Sequence, residues 1–130
     1  MVGMSAAIIQ GVPATTLDTD IWVELPARQY IRLWNLVKRQ GGVALAPTMY
    51  ALVDGSLVNF IFSMTGLKKF AAEYEQAREM YWNGLKIRVL PLDRIYQSKK
   101  ASARDKDMAH LPLLANVMKA QKMNDEQNKQ

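Results

Sequence analysis

The stretch LDTDIWVEL, residues 17–25, alternates between apolar and polar side chains and predicts a β-strand. Side chains two residues apart in a strand project from the same face, so Asp18 and Asp20 lie together, roughly 6.6–7 Å apart at the backbone. Two carboxylates at that separation can converge on a hard cation such as Mg²⁺. Taken alone, an Asp-x-Asp pair on a half-buried strand is more often simply its solvent face.

Strand and helix patterns alternate along the rest of the chain and predict an α/β (α+β) architecture, a small mixed sheet with helices packed on it. Further strands are predicted at residues 57–64 and 85–90. Helical stripes follow Pro26, run through Phe70, Tyr74, Ala77 and Tyr81, and continue from Leu92 with a bend at Pro112. We expect one domain over residues 1–120 and a disordered polar tail over 121–130.

Composition excludes several classes of protein. The 130 residues are 49% apolar, which is enough for a modest core, and they contain no cysteine for a disulfide or thiolate site. No apolar run is long enough to span a bilayer, and the first residues do not resemble a secretory signal, so we expect a cytoplasmic protein without a membrane partner. His110 is the sole histidine, which argues against zinc. The net charge of +5 modestly favours polyanionic partners.

The run VGMSAAIIQGVPATTLDTDIWV, residues 2–23, resembles the signature of the DNA polymerase β-like nucleotidyltransferase superfamily. That signature is a glycine turn followed, after a spacer, by Asp-x-Asp on a strand. The resemblance implies a nucleotidyltransferase fold, here shortened at the N-terminus, with Asp18 and Asp20 as catalytic ligands of Mg²⁺. It also implies that the nucleoside triphosphate is bound by Gly3, Ser5 and Thr16.

A second run, VLPLDRIYQSKKASARDKDMAHLPLL at residues 89–114, resembles the C-terminal helices of small bacterial nucleotidyltransferases akin to abortive-infection toxins. The resemblance implies that Lys99 and Asp107 belong to the catalytic set, that Lys106 contacts the nucleotide, and that an antitoxin is a partner. Without the resemblance, these residues and Arg104 fit equally well on the solvated face of two helices.

The function expected from both runs is Mg²⁺-dependent transfer of a nucleoside monophosphate from a nucleoside triphosphate to RNA, a protein or a small molecule. The alternative is a catalytically inactive binding or regulatory module of the same fold. Asn59 favours it, because it aligns with the third carboxylate of many superfamily members, and so does Met4 in the glycine turn. A third hypothesis, that this is a nucleic-acid-binding protein, is supported by the net charge alone. An unpaired edge at the shortened end of the sheet would allow a homo-oligomer.

Overall fold

The alternating stretch around the acidic pair forms a strand in the computed structural model, which describes residues 1–82 and 84–128. The helices are α1 (Gly3–Ile9), α2 (Tyr30–Arg39, preceded by a 3-10 turn at Ala27–Gln29), α3 (Phe70–Gln76), α4 (Leu92–Ser102) and α5 (Asp105–Asn128). The strands are β1 (Asp18–Trp22), β2 (Val43–Ala44), β3 (Met49–Ala51), β4 (Leu57–Ile61), β5 (Arg78–Trp82) and β6 (Leu85–Val89).

Four of the strands form a mixed sheet in the order β1-β4-β3-β2. Strand β1 runs parallel to β4, whereas β3 is antiparallel to both of its neighbours. The register sets Asn59 of β4 between Asp20 of β1 and Met49 of β3. On the outer edge of β1, the Val2 N–H donates to the Asp20 carbonyl oxygen at 2.9 Å. The N-terminal segment therefore covers that edge beside the acidic pair.

The core joins the first helix to the last two. Ala6 and Ala7 of α1 are fully buried, and their small side chains let α1 pack closely on β1 and α4. Ile95 of α4 and Leu114 of α5 fill the space where these two helices pack against each other. Their burial brings the beginning of the chain next to residues about a hundred positions later, and this contact positions the candidate site.

The predicted α/β architecture is confirmed at the level of class, but one predicted helix is shorter than expected. The helix predicted to continue through Tyr81 ends at Gln76. The next residue, Ala77, has an extended backbone, with a ψ of 144°. Residues 78–82 instead pair with β6 in an antiparallel hairpin, where Met80 faces Ile87. The aromatic residues Tyr81 and Trp82 favour a strand, and so do the cross-strand ion pairs from Glu79 to Lys86 and Arg88.

The C-terminal helix continues further than the sequence predicts. Helix α5 passes through Pro112 without ending and runs to Asn128, over most of the segment expected to be a disordered tail. Its residues from 121 onward are largely good helix formers, and Gln121 Nε2 donates to the Gln10 carbonyl oxygen at 3.0 Å. That bond ties the final turns to the end of α1. In the part of the chain that the structure describes, no helix combines the length and apolarity needed to cross a bilayer.

Candidate functional site

The acidic pair lies at the mouth of a cleft between β1 and the last two helices. Asp18 and Asp20 share one face of β1, as the strand period requires, and both line the cleft. The Thr16 hydroxyl lies 3.3 Å from the Asp18 carbonyl oxygen and 3.4 Å from Asp18 Oδ1. Asn59 Nδ2 donates to Asp20 Oδ1 at 3.4 Å. The two side chains therefore share one face of the strand, as the alternation of the sequence predicts.

Gly3 is in contact with the acidic pair. Its φ is +64°, and a β-carbon built at this position would come within 2.5 Å of Asp20 Oδ2. Only glycine combines that backbone angle with so close an approach. The start of α1 therefore packs directly against the Asp20 carboxylate.

Ser5 has a different place from the one the sequence predicts. Its hydroxyl accepts the Asp20 backbone N–H at 3.1 Å and donates to the Val2 carbonyl oxygen at 2.9 Å. Ser5 does not line the cleft. It joins α1 to β1, and the role of binding nucleotide that the family resemblance implies for Ser5 has no support in this geometry.

The wall opposite the carboxylates is basic and comes from α4 and α5. Ala103 connects these helices in the left-handed conformation, with φ of 54°, and its N–H donates to the Lys99 carbonyl oxygen at 3.0 Å. This tight turn brings Lys99, at the end of α4, alongside Arg104 and Lys106, at the start of α5. Three cations thus face the two aspartates across the cleft.

Asp107 is not an open ligand. It is fully buried, and its carboxylate accepts hydrogen bonds from Lys99 Nζ at 3.3 Å and from Arg104 Nε at 2.7 Å. Lys99 is 12% exposed and Arg104 62% exposed. The carboxylate is thus held by two cations behind the basic wall. This geometry is that of a residue that positions Lys99.

The cleft has a volume of about 410 Å³, within the usual range for a small-molecule site. Seven of the eight predicted site residues line it, Ser5 being the exception. These seven are Gly3, Thr16, Asp18, Asp20, Lys99, Lys106 and Asp107. Further lining residues are Met4, Thr15, Asn59, Ile61, Met64, Ile95, Ser98, Ser102, Arg104 and His110.

Six polar residues of this lining were not predicted as site residues, and three of them, Ser98, Ser102 and His110, lie on the last two helices. Ser98 and Ser102 lie one helical turn apart on the side of α4 that faces the cleft, and His110 lies one turn after Asp107 on α5. The spacings i, i+4 and i, i+3 place such pairs on one helix face. The sequence could have predicted these residues from that spacing. Ser102 lies on the same face of α4 as Lys99, and His110 lies on the same face of α5 as Asp107.

Burial and neighbouring charges shift the pKa values of the cleft residues. Burial, followed by repulsion from Asp18, raises the pKa of Asp20; the Asn59 hydrogen bond and the charges of Lys99 and Lys106 oppose this only in part. Burial lowers the pKa of Lys99 despite its bond to Asp107. The charged groups of this site are therefore held where their ionised forms are poorly solvated.

Asp107 and His110 respond to the same surroundings. Burial acts to raise the pKa of Asp107, but the Arg104 hydrogen bond and the Lys99 charge outweigh it, and the net pKa is lowered. Burial and the Lys99 charge lower the pKa of His110. At neutral pH His110 is therefore an uncharged imidazole, and Asp107 carries the negative charge that the basic wall requires.

The donor set fits a magnesium ion that arrives with a phosphate ligand. Within residues 1–82 and 84–128, no group of three or more His, Asp or Glu side chains is placed to hold a metal. Of the three carboxylates that line the cleft, Asp107 is held by Lys99 and Arg104, which leaves Asp18 and Asp20 as the candidate ligands. Mg²⁺ is commonly held by one or two carboxylates together with substrate phosphates and water. Two aspartates on one strand face meet that requirement.

Comparison of the chain with models of protein families, with curated proteins and with solved structures gave no match.

Proposed function

We propose that this protein is a Mg²⁺-dependent nucleotidyltransferase with a nucleotidyltransferase-like fold. It would transfer a nucleoside monophosphate from a nucleoside triphosphate to a hydroxyl or amine of an RNA, protein or small-molecule acceptor. The resemblance to abortive-infection toxins extends the proposal to a toxin–antitoxin setting, with an antitoxin as partner.

One observation carries the proposal. Residues from three separate parts of the sequence, which the family resemblance assigns to one site, line the same cleft. Gly3 comes from the start of the chain, Asp18 and Asp20 from β1, and Lys99 and Lys106 from the last two helices. A solvated strand face and two solvated helix faces would have no reason to meet in this way.

The arrangement suits a triphosphate held by a metal. Asp18 and Asp20 would hold Mg²⁺, which when bound neutralises charge on the phosphate oxygens. Lys106 and Arg104 reach the opposite side of the cleft, where they would attract the polyphosphate. Thr16 orients Asp18, and the Asp107 carboxylate keeps Lys99 at the wall. In the reaction the acceptor oxygen or nitrogen would bond to the α-phosphorus, pyrophosphate would leave, and the acceptor proton would pass to water.

The second candidate is a module that binds nucleotide without turning it over. The observation that favours it is Asn59, which occupies the position beside Asp20 where a third carboxylate would be expected. An amide supplies no negative charge and cannot accept a proton as a base. The two candidates agree on nucleotide binding and differ only in transfer.

Calorimetric titration of the four nucleoside triphosphates, with and without Mg²⁺, tests the shared part of both candidates. We expect Mg²⁺-dependent binding that is lost in the Asp18→Asn/Asp20→Asn double variant. Glu75→Gln is the matched control, because Glu75 is an exposed carboxylate outside the cleft. Absence of binding by the unmodified protein would refute both candidates.

Transfer is then tested by incubating the protein with α-labelled nucleoside triphosphates and pools of RNA, protein and small-molecule acceptors. Label in an acceptor that disappears with Asp20→Asn supports the enzyme. Binding without label in any acceptor supports the inactive module.

A further inference from the structure

Two neighbouring strands and the bend before a third place three polar side chains in a row that ends at the cleft. Asn59, on the central strand β4, has Asp20 of β1 on one side. On its other side lies Thr48, immediately before β3. Asn59 Nδ2 donates to Asp20 Oδ1 at 3.4 Å, and the Thr48 hydroxyl donates to Asn59 Oδ1 at 3.2 Å. The Asn59 amide is therefore engaged at both ends.

The chemistry of the partners fixes which way this amide points. An ionised carboxylate only accepts hydrogen bonds, so Asp20 selects the NH₂ end of Asn59. The carbonyl end then faces Thr48, whose hydroxyl can donate to it. Turning the amide over would set two acceptors against each other at Asp20, although the Thr48 hydroxyl could still accept from the NH₂ end. The oxygen that could ligate a cation is thus directed away from Asp20 and is already occupied.

Building on the proposed function, we propose that Asn59 is a positioning residue for Asp20, that Asp20 selects the orientation of its amide while Thr48 holds the carbonyl end, and that the cleft consequently binds one divalent cation. With the Asn59 oxygen withdrawn, the ligands on the protein are the Asp18 and Asp20 carboxylates. Their two negative charges balance one divalent ion. A second ion would add positive charge opposite Lys99 and Lys106 without a further carboxylate to offset it.

Binding of Mn²⁺ alone, followed by electron paramagnetic resonance, measures affinity and stoichiometry without requiring catalysis. We expect one Mn²⁺ per chain, lost in Asp18→Asn/Asp20→Asn. Thr48→Val removes the hydroxyl at similar volume and should weaken Mn²⁺ binding about tenfold, as loss of an outer-shell partner commonly does. Thr48→Ser keeps the hydroxyl and should restore affinity to within about twofold of the unmodified protein.

Two outcomes test the positioning role of Asn59. If Asn59 positions Asp20 through an amide that Thr48 holds, Thr48→Val must weaken Mn²⁺ binding. Unchanged or tighter binding by a folded Thr48→Val protein, or two Mn²⁺ ions per unmodified chain, would overturn the inference and leave the proposed function standing. No Mn²⁺ binding by the unmodified protein would instead overturn the metal site of the proposed function, and the inference with it.

Two further variants separate positioning from loss of folding. Thr65→Val is the matched control, because Thr65 is exposed and lies outside the cleft, and it should leave affinity unchanged. Asn59→Leu removes both hydrogen bonds of the amide at similar volume and should weaken Mn²⁺ binding about tenfold in a protein whose circular dichroism matches that of the unmodified chain. Unchanged binding by a folded Asn59→Leu protein would contradict the proposed arrangement.

Discussion

The backbone of Gly3 lies against the carboxylate of Asp20, so that a β-carbon at position 3 would approach Asp20 Oδ2 to 2.5 Å. The contact joins the first helix of the chain to the strand that carries the acidic pair. The geometry of the candidate site therefore depends on the absence of a side chain at position 3.

Gly3→Ala should therefore destabilise the protein and displace Asp20. Gly11→Ala is the matched control: Gly11 also has a positive φ, +103°, but a β-carbon there would meet nothing within 4 Å. Because both glycines have a positive φ, both variants carry backbone strain on the order of 1–3 kcal/mol. We expect Gly3→Ala to lose more free energy of unfolding than Gly11→Ala in urea denaturation, and to be the one that loses Mg²⁺-dependent nucleotide binding. Equal effects of the two substitutions would argue against the contact.

Ser5→Ala should separate stability from binding. The hydroxyl accepts the Asp20 N–H and donates to the Val2 carbonyl oxygen, so its removal leaves a backbone donor without its partner. The expected loss is about 1–3 kcal/mol in free energy of unfolding. Because Ser5 does not line the cleft, calorimetry should show nucleotide affinity within about twofold of the unmodified protein, a change of about 0.4 kcal/mol or less. A tenfold loss of affinity by the folded variant would restore the role implied by the family resemblance.

Asp107→Asn should be strongly destabilising. The buried carboxylate neutralises Lys99, which is itself mostly buried, and removing it leaves that ammonium group without a counter-charge. Breaking a buried pair from one side costs on the order of 3 kcal/mol. Arg104→Gln, which removes the largely exposed partner, should cost about 1 kcal/mol or less. Denaturation by urea of both variants measures the difference, and comparable losses would show that the exposed pair dominates.

The pH dependence of stability should reveal the cost of keeping Asp20 ionised. Its pKa is raised above the ordinary value of 3.8, mainly by burial and then by Asp18, so the folded state binds the proton more tightly than the unfolded state. Ionised Asp20 therefore opposes folding at neutral pH, and this penalty disappears as the pH falls through the raised pKa toward 3.8.

Asp20→Asn in a metal-free buffer with EDTA should accordingly raise Tm by a few degrees at pH 7. The advantage over the unmodified protein should shrink as the pH is lowered to about 4. Asp107 is present in both proteins, so its opposite contribution, stability that is lost at low pH, cancels in the comparison. Scanning calorimetry between pH 4 and 8 measures both melting temperatures. A variant less stable than the unmodified protein at pH 7 would contradict the assignment.

Local patterns predicted much of the fold. The strand at residues 17–25 was predicted from its period of two, and β1 lies within it; β4 and β6 likewise lie within their predicted segments. Strand β5 was missed because Phe70, Tyr74, Ala77 and Tyr81 also fit a helical stripe, and only pairing with β6 resolves the conflict. Strands β2 and β3 have two and three residues, too few for a period to be recognised.

The sequence by itself determined that Asp18 and Asp20 share a face, because alternation along a strand is a property of the local backbone. It also determined which charged residues lie near the ends of the last two helices. Only the tertiary structure decided that Asp107 is buried behind Lys99, that Ser5 bonds the backbone of Asp20, and that Asn59 offers its NH₂ end to that carboxylate. These facts depend on contacts between residues up to 39 positions apart, which are set by the packing of α1, the sheet and α4 and leave no period in the sequence.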